Sequence, residues 1–241
     1  MEKHSLQQTI EQIHSQYVNH NDGEIASYIP ELTKSNPQHF GIAIATEKGE
    51  VFEIGDSRVE FTIQSISKVF TYGLAIEAFG LEKVMKHVGV EPSGDAFNSI
   101  ILEKSSNRPF NPMVNAGAIT VAALLYEKYK DEAFDFILNR FSMAAGRTLS
   151  LDESVYLSES RTGHRNRAIA HLLLNFGIIG EQVDQYLDLY FKQCSILVNC
   201  LDLAMMSATI ANLGSQPLAG TEVFRFSTVK DMLSIMLTCG M

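Results

Sequence analysis

Apolar residues recur along this chain at helical spacing far more often than in strict alternation. Leu6, Ile10, Ile13 and Val18 mark an amphipathic opening helix over residues 5–18. After a break at "NDGEIASYIPEL", the string "HFGIAIATEKGEVFEIGD" carries two apolar runs around a turn at Glu47 to Gly49, which predicts a β-hairpin. "FTIQ" reads as a short extended segment. From Ser65 to about Phe79 the pattern is helical and apolar on almost every side, as in a helix buried all round. The rest is mainly helical: "LEKVMKHVG", "NAGAITVAALLYEKY", "DEAFDFILNRF", "NRAIAHLLLNF", "QVDQYLDLYFKQ", "CLDLAMMSATIANLG" and "STVKDMLSIML". In "DEAFDFILNRF" Asp131 is the expected N-cap, with Phe134, Ile137, Leu138 and Phe141 on one face. Irregular stretches separate them at "EPSGDAFNS", "SSNRPFNPMVN" and "SESRTGHRNR". No later strand is predicted. The hairpin is therefore an orphan, because a lone strand pair is not a sheet and its exposed edge needs a partner.

At 241 residues, 46% hydrophobic and 20% charged, the chain can bury a sizeable core as one large domain or two small ones. The formal net charge of −9 argues against nucleic-acid binding, since no basic surplus exists to neutralise phosphates. The start lacks the apolar stretch of a signal peptide, and no apolar run approaches the ~18 residues of a membrane span. A cytoplasmic protein without a membrane partner is expected. Cys194, Cys200 and Cys239 read as reduced, mostly buried thiols. The seven histidines show no metal-ligand spacing and there is no Gly-rich phosphate loop, so neither metal nor organic cofactor is expected.

Ser65 and Lys68 stand three apart at the start of the buried helix, where the two side chains share a face. A desolvated lysine loses its proton more readily and can serve as a general base, and the helix N-terminus adds N–H donors for an oxyanion. The same spacing recurs at Ser227 and Lys230, where Thr228 and Asp231 suggest only a helix cap. Spacing alone hardly separates the two pairs; the strand-to-buried-helix setting favours the first. Ser105 and Asn107 match a Ser-x-Asn element but equally suit a turn-making loop. Asn115 precedes a small-residue helix that its amide could cap, unless it contacts a ligand. Glu159, Arg161, His164, Arg165, Asn166 and Arg167 read as a solvated, salt-bridged loop. Tyr28 and Tyr190 read as half-buried aromatics.

Taken together, "YIPEL", "FTIQSISKVF", "EPSGDAFNSI", "RPFNPMVNAGAI", "SESRTGHRNRAIA", "LDLYFKQCSI" and "LTCGM" resemble the serine-dependent glutaminases of the β-lactamase-like superfamily, in order from about residue 23 to the last. The resemblance implies an α/β, three-layer β-lactamase/transpeptidase-like sandwich with a large helical region. It implies hydrolysis of L-glutamine to L-glutamate and ammonia, with Ser65 as nucleophile and Lys68 as base. It carries substrate contacts to Tyr28, Asn115, Glu159, Asn166 and Tyr190, with Ser65 beside them. Glu159 suits the substrate's α-ammonium, and the amides and phenols suit the carboxylate. A homodimer or homotetramer is implied for the complete protein.

Family members continue past "TCGM" with a tyrosine, a Lys-Ser-Gly-Val-type strand and a final helix, whereas this sequence stops at Met241. The expectation is a single incomplete domain over 1–241, with helix and hairpin in 1–60 and a mainly helical part in 61–241. It would lack the last strands of its sheet, be poorly soluble, and turn over glutamine negligibly. Two rivals stay open: a β-lactamase or transpeptidase, which would normally carry an export signal, and an inactive remnant.

Overall fold

A computed structural model of the chain describes residues 3–239; Met241 lies outside them. Helix α1 (Lys3–Tyr17) is followed by a tight 3-10 turn at Pro30–Lys34 and the hairpin β1 (Gly41–Ala45) and β2 (Val51–Gly55). The strands are antiparallel, in register from Gly41 opposite Gly55 to Ala45 opposite Val51. The turn closes where Gly49, at φ 78°, donates its N–H to the Thr46 carbonyl. Helix α1 rests on β2. Among the described residues no strand pairs with the other edge of β1, as the hydropathy pattern led us to expect.

Later strands do exist, against that expectation. β3 (Phe61–Thr62), β4 (Ser150–Leu151) and β5 (Ile196–Val198) form a second antiparallel sheet in the order β3-β5-β4. Each is two or three residues long, too short for a period-two pattern to register. Their function is positional. Ile63 N–H donates to Ile196 O, which fixes the chain just before the 3-10 turn Gln64–Ile66.

Helix α2 (Ser67–Phe79) follows that turn, and every residue from Ser67 to Ile76 is buried. Around it pack α3 (Leu81–Met85), α4 (Asn115–Tyr129), α5 (Ala133–Ala145) and α10 (Phe226–Cys239). Helix α4 also lies against α7 (His164–Asn175) and α8 (Val183–Cys194). Leu74, Ile119, Ile137 and Tyr186 are fully buried in this centre, each contributing on the order of 1.5–3 kcal/mol of apolar transfer. Helix α9 (Cys200–Ala211) packs on β1 and opens with a capping box. Asn199 accepts from the Asp202 N–H and Asp202 from the Asn199 N–H, which satisfies two otherwise orphaned donors. Asp202 also holds Arg147 at 2.6 Å, and Arg147 reaches Glu60 at 2.9 Å beside β3.

Three local expectations are corrected. The stretch "SESRTGHRNR" is not a loop: α6 (Glu153–Thr162) and α7 meet at Gly163, and no ion pair forms within the stretch among the described residues. Asp131 sits in a 3-10 turn, Lys130–Glu132, and does not cap α5, whose N-cap is Glu132. Helix α10 begins at Phe226, and Thr228 Oγ1 bonds Glu77. Lys230 is exposed there, unlike Lys68. Ser105 is exposed and Asn107 takes φ 57°, as a turn-forming loop requires. No helix among the described residues is long and apolar enough to cross a membrane.

Candidate active site

Ser65 lies in the 3-10 turn that joins β3 to α2. Its predecessor Gln64 has φ 50°, a left-handed conformation that costs a non-glycine residue about 1–3 kcal/mol. Such a backbone lifts Ser65 clear of the helix and into a cavity of about 370 Å³. Asn115, Glu159, Asn166, Tyr190 and Tyr28 line the same cavity. All six side chains thus converge from four helices, the 3-10 turn and the 18–29 segment.

Lys68 is the second residue of α2 and is 1% exposed. Its amine does not donate to Ser65. It donates to Asn115 Oδ1 at 2.7 Å and to the Met113 carbonyl at 3.0 Å, and Ser65 Oγ makes no hydrogen bond among the described residues. Asn115 then donates through Nδ2 to Asn166 Oδ1 at 3.0 Å, so one chain of polar contacts runs from the lysine to the recognition residues. Asn115 is the first residue of α4 and provides no cap. The Phe97 ring lies 5.4 Å from the lysine amine. Burial pushes the Lys68 pKa down to about 8, against the pull of Cys194 and Glu159. An amine so placed is close to losing its proton at neutral pH.

Glu159 ends the buried face of α6 and is 7% exposed. Its Oε2 has no hydrogen-bond partner and no cation stands in salt-bridge range among the described residues. Burial raises its carboxyl to about 7, with Lys68 opposing. An unpaired buried carboxylate costs several kcal/mol, which is why the carboxyl holds its proton so far above the ordinary range. Tyr190, on α8, is buried, and burial raises its phenol well above the ordinary value. Tyr28 is 65% exposed and its hydroxyl donates to Gln64 Oε1 at 3.4 Å. Neither tyrosine is half-buried as the sequence suggested. The Met113 carbonyl, Gln64, Phe97 and Cys194 also belong to the site; all four fall within the motifs that carry the resemblance, but the sequence reading assigned none of them to the site. A larger cleft of about 640 Å³ beside α5 and α8 holds neither Ser65 nor Lys68.

The chain matches the family model described as Glutaminase over residues 23–241. A glutaminase from a Nostoc species is 50% identical over 98% of this chain and 71% of its own length. The chain belongs to the glutaminase family. Glutaminase 2 of Clostridium perfringens is 47% identical, over 99% of this chain and 78% of its own. A solved probable glutaminase, ybaS, superposes with a TM-score of 0.94 at 36% identity, covering 99% of this chain and 77% of that one. The glutamate form of Mglu superposes with a TM-score of 0.93 at 38% identity, covering 99% and 55%. By family the chain is an amidohydrolase with the mixed α/β, β-lactamase-like fold that the sequence resemblance implied.

Proposed function

We propose that this glutaminase-family chain hydrolyses L-glutamine to L-glutamate and ammonia through a glutamyl-enzyme on Ser65. The observation that carries the proposal is the convergence of Ser65, Asn115, Glu159, Asn166 and Tyr190 on one small cavity, with the depressed lysine behind them. Free glutamine presents an α-ammonium, an α-carboxylate and a side-chain amide. Glu159 would take the ammonium, ionising as it does so. Asn166, Tyr28 and Tyr190 would orient the carboxylate and the side chain. Lys68 would accept the Ser65 proton as Oγ attacks the amide carbon, and would return a proton to the leaving ammonia; water then cleaves the ester. For that step the amine has to release its grip on Asn115 or share it, since apo contacts commonly rearrange in the reactive complex.

The glutamate form of Mglu supports a substrate of this class. A homodimer or homotetramer in the cytoplasm belongs to the same reading, and the three cysteines, all free thiols, agree with a reducing compartment. The test is Ser65→Ala, which should retain the fold and reduce glutamate formation by about 10⁴-fold or more. Activity close to that of the parent chain would mean that Ser65 is not the nucleophile.

A further inference from the structure

Gln64 carries the strain of the nucleophile turn, and strained backbone at a site persists only where its surroundings hold it. What holds it here is buried and polar. The Gln64 carbonyl accepts from Ser67 Oγ at 2.7 Å and also from the Ser67 backbone N–H. Ser67 is fully buried, and its hydroxyl accepts from Gln193 Nε2 at 3.4 Å. The same nitrogen reaches Thr71 Oγ1 at 3.4 Å, one turn further along α2. Gln193 is fully buried on α8, and its Oε1 has no hydrogen-bond partner among the described residues. A buried amide with an unmade hydrogen bond is less favourable than an apolar side chain of the same shape. Stability alone therefore does not favour glutamine at this place.

The chain positions of these residues add a second line of argument. Helix α8 presents Tyr190 and Cys194 to the cavity, and Gln193 lies between them on the side facing α2. Neither Ser67 nor Gln193 lines the cavity. We propose that Gln193 and Ser67 form a buried brace that holds Gln64 in its left-handed conformation and so aims Ser65 into the cavity. Both are positioning residues. The proposal rests on Ser65 being the nucleophile.

A readout independent of glutamine turnover separates the two claims: the rate at which a fluorophosphonate labels Ser65, followed by intact mass, with L-glutamate affinity measured by calorimetry. Gln193→Met and Ser67→Ala should each slow labelling by about 10- to 100-fold while leaving the L-glutamate Kd within about twofold, because a misaimed nucleophile loses rate before affinity. In a Gln64→Gly background Ser67→Ala should cost much less, since glycine takes positive φ without strain. Ser67→Ala removes a single atom and carries the test should Gln193→Met not fold. Unchanged labelling in the folded variants overturns the brace, as does a parallel loss of rate and L-glutamate affinity. A parent chain whose Ser65 is not labelled overturns the nucleophile assignment, and the brace falls with it.

Discussion

Two side chains, Lys68 and Glu159, set the pH behaviour. Under the proposed mechanism both act without their proton, the lysine as base and the glutamate as the ammonium's counter-ion. With Lys68 near 8 and Glu159 near 7, kcat/KM for L-glutamine should climb through both values from neutral to alkaline pH. A profile that falls over that range would show the roles reversed. Stability without substrate should move the other way across the Glu159 window. Its pKa is raised from 4.5 to about 7 on folding, so the folded chain keeps a proton that the unfolded chain releases. The favourable protonated state is complete below about 4.5 and is lost as pH rises through about 7, a change on the order of 3 kcal/mol. Urea denaturation at several pH values reads it. Glu159→Gln should flatten that decline while raising KM steeply, the buried partner of the ammonium being worth ~2–5 kcal/mol. Of these two residues, the burial of Lys68 was legible from its strand-to-buried-helix setting. Glu159 was reached only through the family resemblance, because in a string of charged neighbours nothing by itself distinguishes the one that faces inward.

At the scale of elements, helix α4 has to pass very close to the segment that delivers Met113 and Asn115. Gly117 allows it: a Cβ there would collide with the Asn111 carbonyl, which is backbone and cannot step aside. Gly117→Ala should therefore destabilise the chain by about 1–3 kcal/mol or more and, by displacing the Met113 carbonyl from Lys68, lower kcat as well. A thermal melt and a turnover assay on the same preparation check both; an unchanged Tm would mean that the segment yields freely. The hairpin and the long helices were readable because their apolar periods run over five residues or more. The β3-β5-β4 sheet was not, since Phe61 and Val198 meet across 137 positions with no pattern in either strand long enough to announce it. Helix α6 and the first turn of α7 hid for a different reason. They are polar on most sides and broken at Gly163, so their sequence imitates a loop, whereas the rest of α7 was readable in "NRAIAHLLLNF".

For the whole molecule, the hairpin is the exposed part of the architecture. Among the described residues strand β1 pairs with β2 alone, and a groove of about 500 Å³ runs along it beside Cys200 and Leu203 of α9. A strand edge with unpaired N–H and C=O groups recruits other strands. The chain should accordingly self-associate as its concentration rises, measurable by sedimentation velocity. A sharp monomer over the whole range would mean that the edge is protected. Family membership was legible through motifs spread over the chain, whereas the contact between the hairpin and the helical body, made by α9, needed coordinates.

The corner at Gly163 has one more consequence. Glu159 lies in the last turn of the helix before it and Asn166 in the first turn of the helix after it, and the corner has no room for a Cβ: a methyl on Gly163 would strike the Phe191 ring and the Glu159 carbonyl. The spacing between the Glu159 and Asn166 walls of the cavity is therefore not a property of either helix. It is an angle, and a rotation of a few degrees about this corner would rescale the cavity without altering the side chains on either wall. In that sense the gauge of the cavity is kept by a position that has no side chain at all.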